Sequence, residues 1–307
     1  MSTKENKKTT VSEMIGIIIT IIGGCFWGLS GTCGQFLFDH KGVTAKWLVP
    51  VRLIIAGTLM LIFYIGKDRK AAFRIWKQKR DAIDIIIYGI AGLMLCQFTY
   101  FQTIELSNAG TATVIQYIAP VIIMALVCMG EKRLPKALEV LALVLAVMGI
   151  FLIATHGNIH ELAISKEALI IGLISAWTVV IYNLQPKRLL MQYSAPYIMA
   201  WGMVIGGIVL AFLFRPWEYQ VQIDMGVIGG MAGIIVLGTI CAFSMYMHGV
   251  KVIGPARASL YSCVEPIAAT LLSAFWLKVP FAAIDLVGFA CIITTIFILG
   301  YMDLRKE

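Results

Sequence analysis

Charged side chains are scarce in this sequence. Asp, Glu, Lys and Arg make up 14% of its 307 residues, whereas hydrophobic residues make up 60%. A soluble domain of this size carries roughly a quarter charged residues, so the composition excludes an ordinary soluble enzyme or binding module. Several apolar runs reach the roughly twenty residues that cross a hydrocarbon core of about 30 Å. The sequence therefore predicts a protein that crosses the membrane several times.

Patterns that hold metals, disulfides or catalytic groups are also missing. The seven cysteines fall within apolar segments and form no CxxC pair, which argues against a disulfide or zinc framework. His156 and His160 have helical metal-site spacing, but no third ligand accompanies them in their polar loop. No metal or cofactor is expected. No cluster of the kind that an intramembrane enzyme needs is found, so we expect the protein not to be an enzyme.

Ten segments have the length and composition of transmembrane helices. They are 14–36, 44–66, 84–104, 109–129, 134–154, 167–186, 195–214, 225–250, 256–277 and 281–302. The loops and termini on one side carry 19 Lys and Arg residues, whereas the loops on the other side carry 5. By the positive-inside rule, this bias predicts a multi-pass protein of the cytoplasmic membrane with both termini in the cytoplasm. The net charge of +8 therefore needs no nucleic-acid partner.

The longest loop combines basic and aromatic residues. In the stretch GKDRKAAFRIWKQKRDAID, Phe73, Ile75 and Trp76 lie among seven basic residues. Apolar and basic side chains mixed in this way are typical of a helix lying along the membrane surface. The sequence predicts such a helix on the cytoplasmic side.

The two halves of the chain repeat each other. At an offset of 146 residues Tyr100 aligns with Tyr246 and Pro120 with Pro266, and at an offset of 150 Trp27 aligns with Trp177. Because each unit has five helices, an odd number, the second must enter the membrane upside down. The predicted fold is an all-α polytopic membrane protein with ten transmembrane helices arranged as two inverted five-helix repeats. Inverted repeats are typical of alternating-access carriers, whose substrate sites lie between the repeats near the midplane.

The repeats also define the predicted domain boundaries. A cytoplasmic tail (1–13) precedes the first repeat (14–154), an external linker (155–166) leads to the second repeat (167–302), and a cytoplasmic tail (303–307) ends the chain.

Several motifs resemble those of a transporter family. The stretch PVRLIIAG in the second helix, the block APVIIMALVCMGEKRLPKALEVLALVLAVMGIFLI and its echo EPIAATLLSAFWLKVPFAAIDLVGFACIITTIFIL are similar to the EamA family of the drug/metabolite transporter superfamily. The resemblance covers residues 14–302 and implies transport of amino acids, nucleobases, sugars, metabolites or drugs. One departure is that Gly130–Glu131 follows the family pattern, whereas its counterpart in the second half is Leu277–Lys278. A gating role for that motif extends to the first half only.

Two prolines interrupt helices at matched positions of the repeat. Proline removes a helical hydrogen bond and frees the carbonyl four residues earlier, which is Gln116 for Pro120 and Ser262 for Pro266. Broken helices survive in a membrane only against protein or a watery cavity. The fourth and ninth helices are therefore expected to face a central cavity, with Pro120 and Pro266 as hinge residues.

Glu265 and Arg52 are ionisable residues deep inside predicted helices. Glu265 lies roughly 14 Å from the cytoplasmic end and Arg52 roughly 12 Å from the external end at 1.5 Å per residue, so the two are expected at similar depth. One interpretation is a structural Arg52–Glu265 pair that fixes helix packing. The other makes Glu265 a substrate or proton site and Arg52 its counter-charge or the anchor of a substrate carboxylate.

Further polar and aromatic residues lie near the same level. The candidates for lining the cavity are Trp27, Tyr100, Gln116, Tyr117, Trp177, Tyr182, Asn183, Tyr261 and Ser262. Any one residue of this type is more often a helix-packing or interfacial residue than part of a binding pocket.

The sequence predicts an alternating-access transporter, an exporter, of a small organic metabolite. An amino acid or a related metabolite fits Arg52 and Glu265, because arginine binds carboxylates in a bidentate manner. The alternatives are proton-coupled efflux of lipophilic cations, with protons as a second ligand, and a passive channel or receptor. The expected partners are the substrate and the lipid bilayer, and the oligomeric state stays open.

Overall fold

The computed structural model describes residues 2–67, 69–130, 132–155 and 163–304, and within these ranges the chain is helical and contains no strand. The principal helices are α1 (Ser2–Lys41), α2 (Ala45–Lys67), α3 (Lys79–Leu106), α4 (Ala109–Gly130), α5 (Ala137–Thr155), α6 (Lys166–Leu190), α7 (Ala195–Phe214), α8 (Met225–Ile253), α9 (Pro255–Ser262 and Glu265–Phe275) and α10 (Ala283–Leu304). Each predicted segment falls on one of them.

Over the described residues, α1 to α8 are long and apolar enough to cross a membrane, and Glu265–Phe275 and Ala283–Ile298 are shorter apolar helices. The predicted all-helical polytopic fold is confirmed. The prediction for His156 and His160 lies outside the described residues.

Side-chain caps place the beginnings of three helices. Asn108 Oδ1 accepts a hydrogen bond from the backbone N–H of Thr111 at 2.8 Å, at the start of α4. Asp224 and Ser165 cap α8 and α6 in the same way. Each cap satisfies one of the N–H groups that a helix start leaves without an intrahelical acceptor.

The helices pack in an order that repeats at an interval of five. Helix α1 packs against α8 and α9, while α6 packs against α3 and α4. Helix α2 packs on α7, and α5 packs on α10. When five is added to or subtracted from each helix number, every contact in this set becomes itself or another contact of the set. This result is expected of a duplicated five-helix unit.

Helices at equivalent positions of the two halves run antiparallel where they meet. In the contact of α2 with α7, Gly57 lies against Met203 and Gly207 lies against Ile54, so the residue number rises along one helix as it falls along the other. The contact of α5 with α10 is antiparallel as well, since Gly149 lies against Ile292 and Gly288 lies against Ile153. An inverted duplication produces this crossing.

The loop of basic and aromatic residues is hydrogen-bonded to α7 and packs against it. The carbonyl of Ala72 accepts hydrogen bonds from Tyr197 Oη at 2.9 Å and from Trp201 Nε1 at 3.1 Å, and the rings of Trp76 and Trp201 lie 5.0 Å apart. The loop forms two short helical turns, Arg69–Ala72 and Arg74–Lys77, instead of one continuous surface helix. The Ala72 carbonyl at the junction accepts hydrogen bonds from side chains of α7. In a continuous helix it would accept an intrahelical hydrogen bond instead.

Candidate functional site

Helices α4 and α9 are interrupted at the positions that the two prolines indicated. The first half of α4 ends at Gln116 and the second half begins at Ala119. In α9 the first half ends at Ser262 and the second half begins at Glu265. Each proline therefore lies in the first turn of a new helix, where its missing N–H costs nothing.

Two further irregularities lie in α3 and α8. A π-helical stretch runs from Tyr88 to Met94 in α3, and another runs from Gly233 to Cys241 in α8. The two stretches occupy equivalent positions of the repeat. A π-helical turn often marks a functional site, because it widens the helix and redirects side chains. Neither stretch contains proline, and the sequence analysis did not identify them.

A cavity of about 420 Å³ lies beside these irregular stretches, which is within the size range of small-molecule sites. Ten of the residues selected from the sequence line it: Trp27, Arg52, Tyr100, Gln116, Tyr117, Pro120, Tyr182, Asn183, Ser262 and Glu265. Lining residues that the sequence analysis missed include Ser30, Tyr88, Cys96, Gln97, Phe101, Thr239, Phe243 and Tyr246. Tyr88 and Thr239 belong to the π-helical stretches, and the alignment of Tyr246 with Tyr100 was a signal that could have found Tyr246.

The structure does not bring three selected residues to the cavity. Trp177 is 52% exposed on the outer face of α6, although its repeat counterpart Trp27 lines the cavity. Tyr261 and Pro266 do not line the cavity either, and Pro266 is buried in the second half of α9. Residues at equivalent sequence positions thus face different surroundings in the two halves.

Glu265 is held at the break in α9 by close packing of α1. A Cβ atom added to Gly28 would lie 2.8 Å from the carbonyl oxygen of Glu265, and one added to Gly24 would lie 2.9 Å from that of Ser262. Both glycines therefore permit an approach that any larger residue would prevent. The hydroxyl of Tyr117, at the break in α4, donates a hydrogen bond to Glu265 Oε2 at 2.8 Å.

Arg52 is buried in the cavity wall without a carboxylate partner among the described residues. The side chain is 5% exposed, its Cζ lies 4.6 Å from the ring centroid of Phe101, and Nη2 lies 3.5 Å from Thr239 Oγ1. Its Nε is buried and has no hydrogen-bond partner in the described part of the chain. A buried guanidinium normally has an acceptor for each donor, so Arg52 is a cationic residue of the cavity wall whose hydrogen bonds are not all satisfied.

The Arg52–Glu265 ion pair, one of the two interpretations of the sequence, is not formed. Glu265 is hydrogen-bonded to Tyr117, and Arg52 lies over Phe101. Positions along the two helices predict a similar depth for both groups but do not determine the direction in which either side chain points. The lining of the cavity consequently contains one acidic and one basic residue that are not paired with each other, together with several aromatic rings.

Ion pairs outside the cavity join equivalent helix pairs at opposite ends. Arg188 Nη2 of α6 lies 2.6 Å from Asp81 Oδ1 of α3. Tyr193 also donates a hydrogen bond to Asp81, and burial together with this bond raises the pKa of Tyr193 to about 12. At the other end Lys41 of α1 lies 2.6 Å from Asp224, the cap of α8, and lowers the pKa of that carboxyl. Each bond holds together a pair of helices that flanks the cavity.

The EamA-like transporter family matches the chain twice, over residues 14–155 and over residues 166–301. The chain belongs to this family. An inner membrane transporter of Salmonella typhimurium strain LT2, YicL, is 32% identical to this EamA-like chain, with 95% of the chain and 97% of the relative covered. The transporter YyaM of Bacillus subtilis strain 168 is 24% identical, with coverages of 91% and 92%. A solved crystal structure that is 15% identical has a TM-score of 0.61 and covers 97% of this chain and 99% of its own, so it shares the fold.

Proposed function

We propose that this EamA-like membrane protein exports a small organic metabolite by alternating access through the central cavity. The two repeats, 14–154 and 167–302, are inverted copies, and the cavity lies between them. The antiparallel packing of α2 on α7 and the matched breaks in α4 and α9 support this proposal. Discontinuous helices at a repeat interface are where carriers of this kind bind their substrates.

The substrate class is amino acids and closely related metabolites. The observation that carries this assignment is the buried Arg52, which faces the same cavity as Glu265 but is not paired with it. Arg52 binds the substrate carboxylate, because a guanidinium matches a carboxylate in geometry and charge. Glu265 and the Tyr117 hydroxyl bind the ammonium group, and the surrounding aromatic rings accommodate the side chain.

The termini lie in the cytoplasm, as the basic loops indicate. With this orientation the cavity extends toward the cytoplasm, because Pro186 and Leu190 at the cytoplasmic end of α6 and Met247 of α8 belong to its lining. An exporter takes up its substrate from this side.

A competition experiment tests the substrate class. Purified protein in proteoliposomes is given labelled amino acids, with and without a pH gradient, and each uptake is challenged with the matching amine that lacks the carboxylate. We expect the complete amino acid to compete and the decarboxylated amine to compete weakly. Equal competition by the amine, together with uptake driven by the pH gradient, would contradict the amino-acid assignment and favour proton-coupled efflux of lipophilic cations.

A further inference from the structure

One buried glutamine joins three helices near the end of the molecule that the proposed topology places outside. Gln35 of α1 is 2% exposed, and its Oε1 accepts hydrogen bonds from the backbone N–H of Ala109 and from Ser273 Oγ, both at 3.0 Å. Ala109 begins α4, and Ser273 lies near the end of α9. A single amide oxygen of α1 is therefore hydrogen-bonded to both α4 and α9.

The sequence places a second glutamine at the equivalent position of the other repeat. Helix α6 is the repeat equivalent of α1 at an offset of 150 residues, and this offset aligns Gln35 with Gln185. Gln185 lies at the cytoplasmic end of α6, and its Nε2 donates a hydrogen bond to the carbonyl of Asp84 at 3.0 Å. Its Oε1 is buried and has no partner among the described residues. A buried amide oxygen without a partner is costly and is uncommon in folded proteins.

The symmetry identifies the partner that this oxygen lacks. The start of α9 is the repeat equivalent of the start of α4, so the counterpart of Ala109 is Pro255. Proline has no N–H, but the next N–H groups in the first turn, those of Ala256 and Arg257, have no intrahelical acceptor. In this structure the lining of the cavity includes Pro186, directly after Gln185, and Leu190, whereas in α1 the lining ends at Ser30, before Gln35.

We propose that Gln185 is the cytoplasmic gate residue of this transporter and that its Oε1 accepts a hydrogen bond from the first turn of α9 when the cavity opens to the outside. This inference rests on the proposed alternating access. Gln35 and Gln185 then make equivalent closures in turn: Gln35 seals the external end in the state seen here, and Gln185 seals the cytoplasmic end in the opposite state. The unpaired oxygen is satisfied only in that second state.

The labelling of the native Cys96, which lines the cavity, measures how accessible the cavity is from each side. The other six cysteines are replaced by alanine, and a membrane-impermeant maleimide is added to one face of oriented vesicles. Gln185→Leu should slow labelling from outside by about threefold to tenfold, the worth of one buried hydrogen bond. Gln35→Leu should accelerate it by a similar factor. Gln192→Leu, an exposed glutamine near the same end, is the matched control and should label at the unsubstituted rate.

The outcomes separate the gate from the transport mechanism. If Cys96 is labelled faster from outside in Gln35→Leu, but in Gln185→Leu is labelled at the same rate as in Gln192→Leu, the gate proposal is overturned while alternating access stands. If Cys96 labels from the same single face in all variants, including Gln35→Leu, alternating access itself fails. Gln185→Met, which keeps the length of the side chain, should reproduce the effect of Gln185→Leu. A normal labelling rate in a folded Gln185→Met protein would also overturn the proposal.

Discussion

Two ionisable residues in the cavity wall differ in how the surrounding protein satisfies them. Glu265 has a hydroxyl partner in Tyr117, whereas the Nε of Arg52 has no acceptor in the described part of the chain. This difference determines what each substitution should do. Neither residue depends on the other for its charge balance, so removing one should not leave a broken ion pair.

Glu265→Gln should abolish transport and leave the fold intact. The glutamine amide oxygen can still accept the hydrogen bond of Tyr117, so we expect the melting temperature to stay within about 2 °C of the wild type, which corresponds to a change in stability of about 1 kcal/mol or less. Uptake in proteoliposomes and thermal unfolding measure the two properties. Glu167→Gln, an exposed acid on α6, is the control. Wild-type uptake in Glu265→Gln, with unchanged pH dependence, would remove this residue from the substrate and proton site.

Arg52→Gln should weaken binding of the carboxylate selectively. Loss of a charge-assisted hydrogen bond corresponds to roughly tenfold to a hundredfold in affinity, so KM for the amino acid should rise by that factor. KM for the decarboxylated amine should change little. Lys46→Gln, an exposed change on the same helix, is the control. An equal rise in KM for both compounds would show that Arg52 supports the cavity without binding the carboxylate.

At the scale of the helices, the sequence predicted the positions of the ten helices and the breaks in α4 and α9. The beginning of the first helix was wrong, because α1 begins at Ser2 and not at residue 14. Apolar runs determine the positions and prolines determine the breaks, and both are local properties of the chain. The π-helical stretches in α3 and α8 were not predictable in this way, because no residue type enforces a π turn. The exposure of Trp177 was equally unpredictable, since repeat alignment gives equivalent positions and not equivalent surroundings.

The two prolines at the breaks should govern the rate of the conformational change. Pro120→Ala and Pro266→Ala each allow a more continuous helix, so we expect slower transport with expression largely retained. Initial rates of uptake, normalised to the amount of reconstituted protein, measure the effect. Pro135→Ala, in the exposed loop between α4 and α5, serves as the control. Unchanged rates in both hinge variants would mean that α4 and α9 do not bend at these positions during transport.

At the scale of the whole molecule, the two halves should have opposite orientations in the membrane. Epitope tags inserted within 158–164 should be accessible from outside intact cells, and tags within 69–80 should be accessible only after the cytoplasm is opened. Antibody binding before and after permeabilisation measures this. Detection of both tags from the same face would contradict the inverted arrangement of the repeats.

Counterflow tests the central claim, that one cavity opens alternately to the two sides, most directly. Proteoliposomes are loaded with a high concentration of unlabelled substrate and diluted into a trace of labelled substrate. An alternating carrier exchanges the two, so the label should accumulate transiently above its external concentration, and Glu265→Gln should remove this overshoot. A passive pore has no such coupling. Label that merely equilibrates across the membrane, without an overshoot, would contradict alternating access.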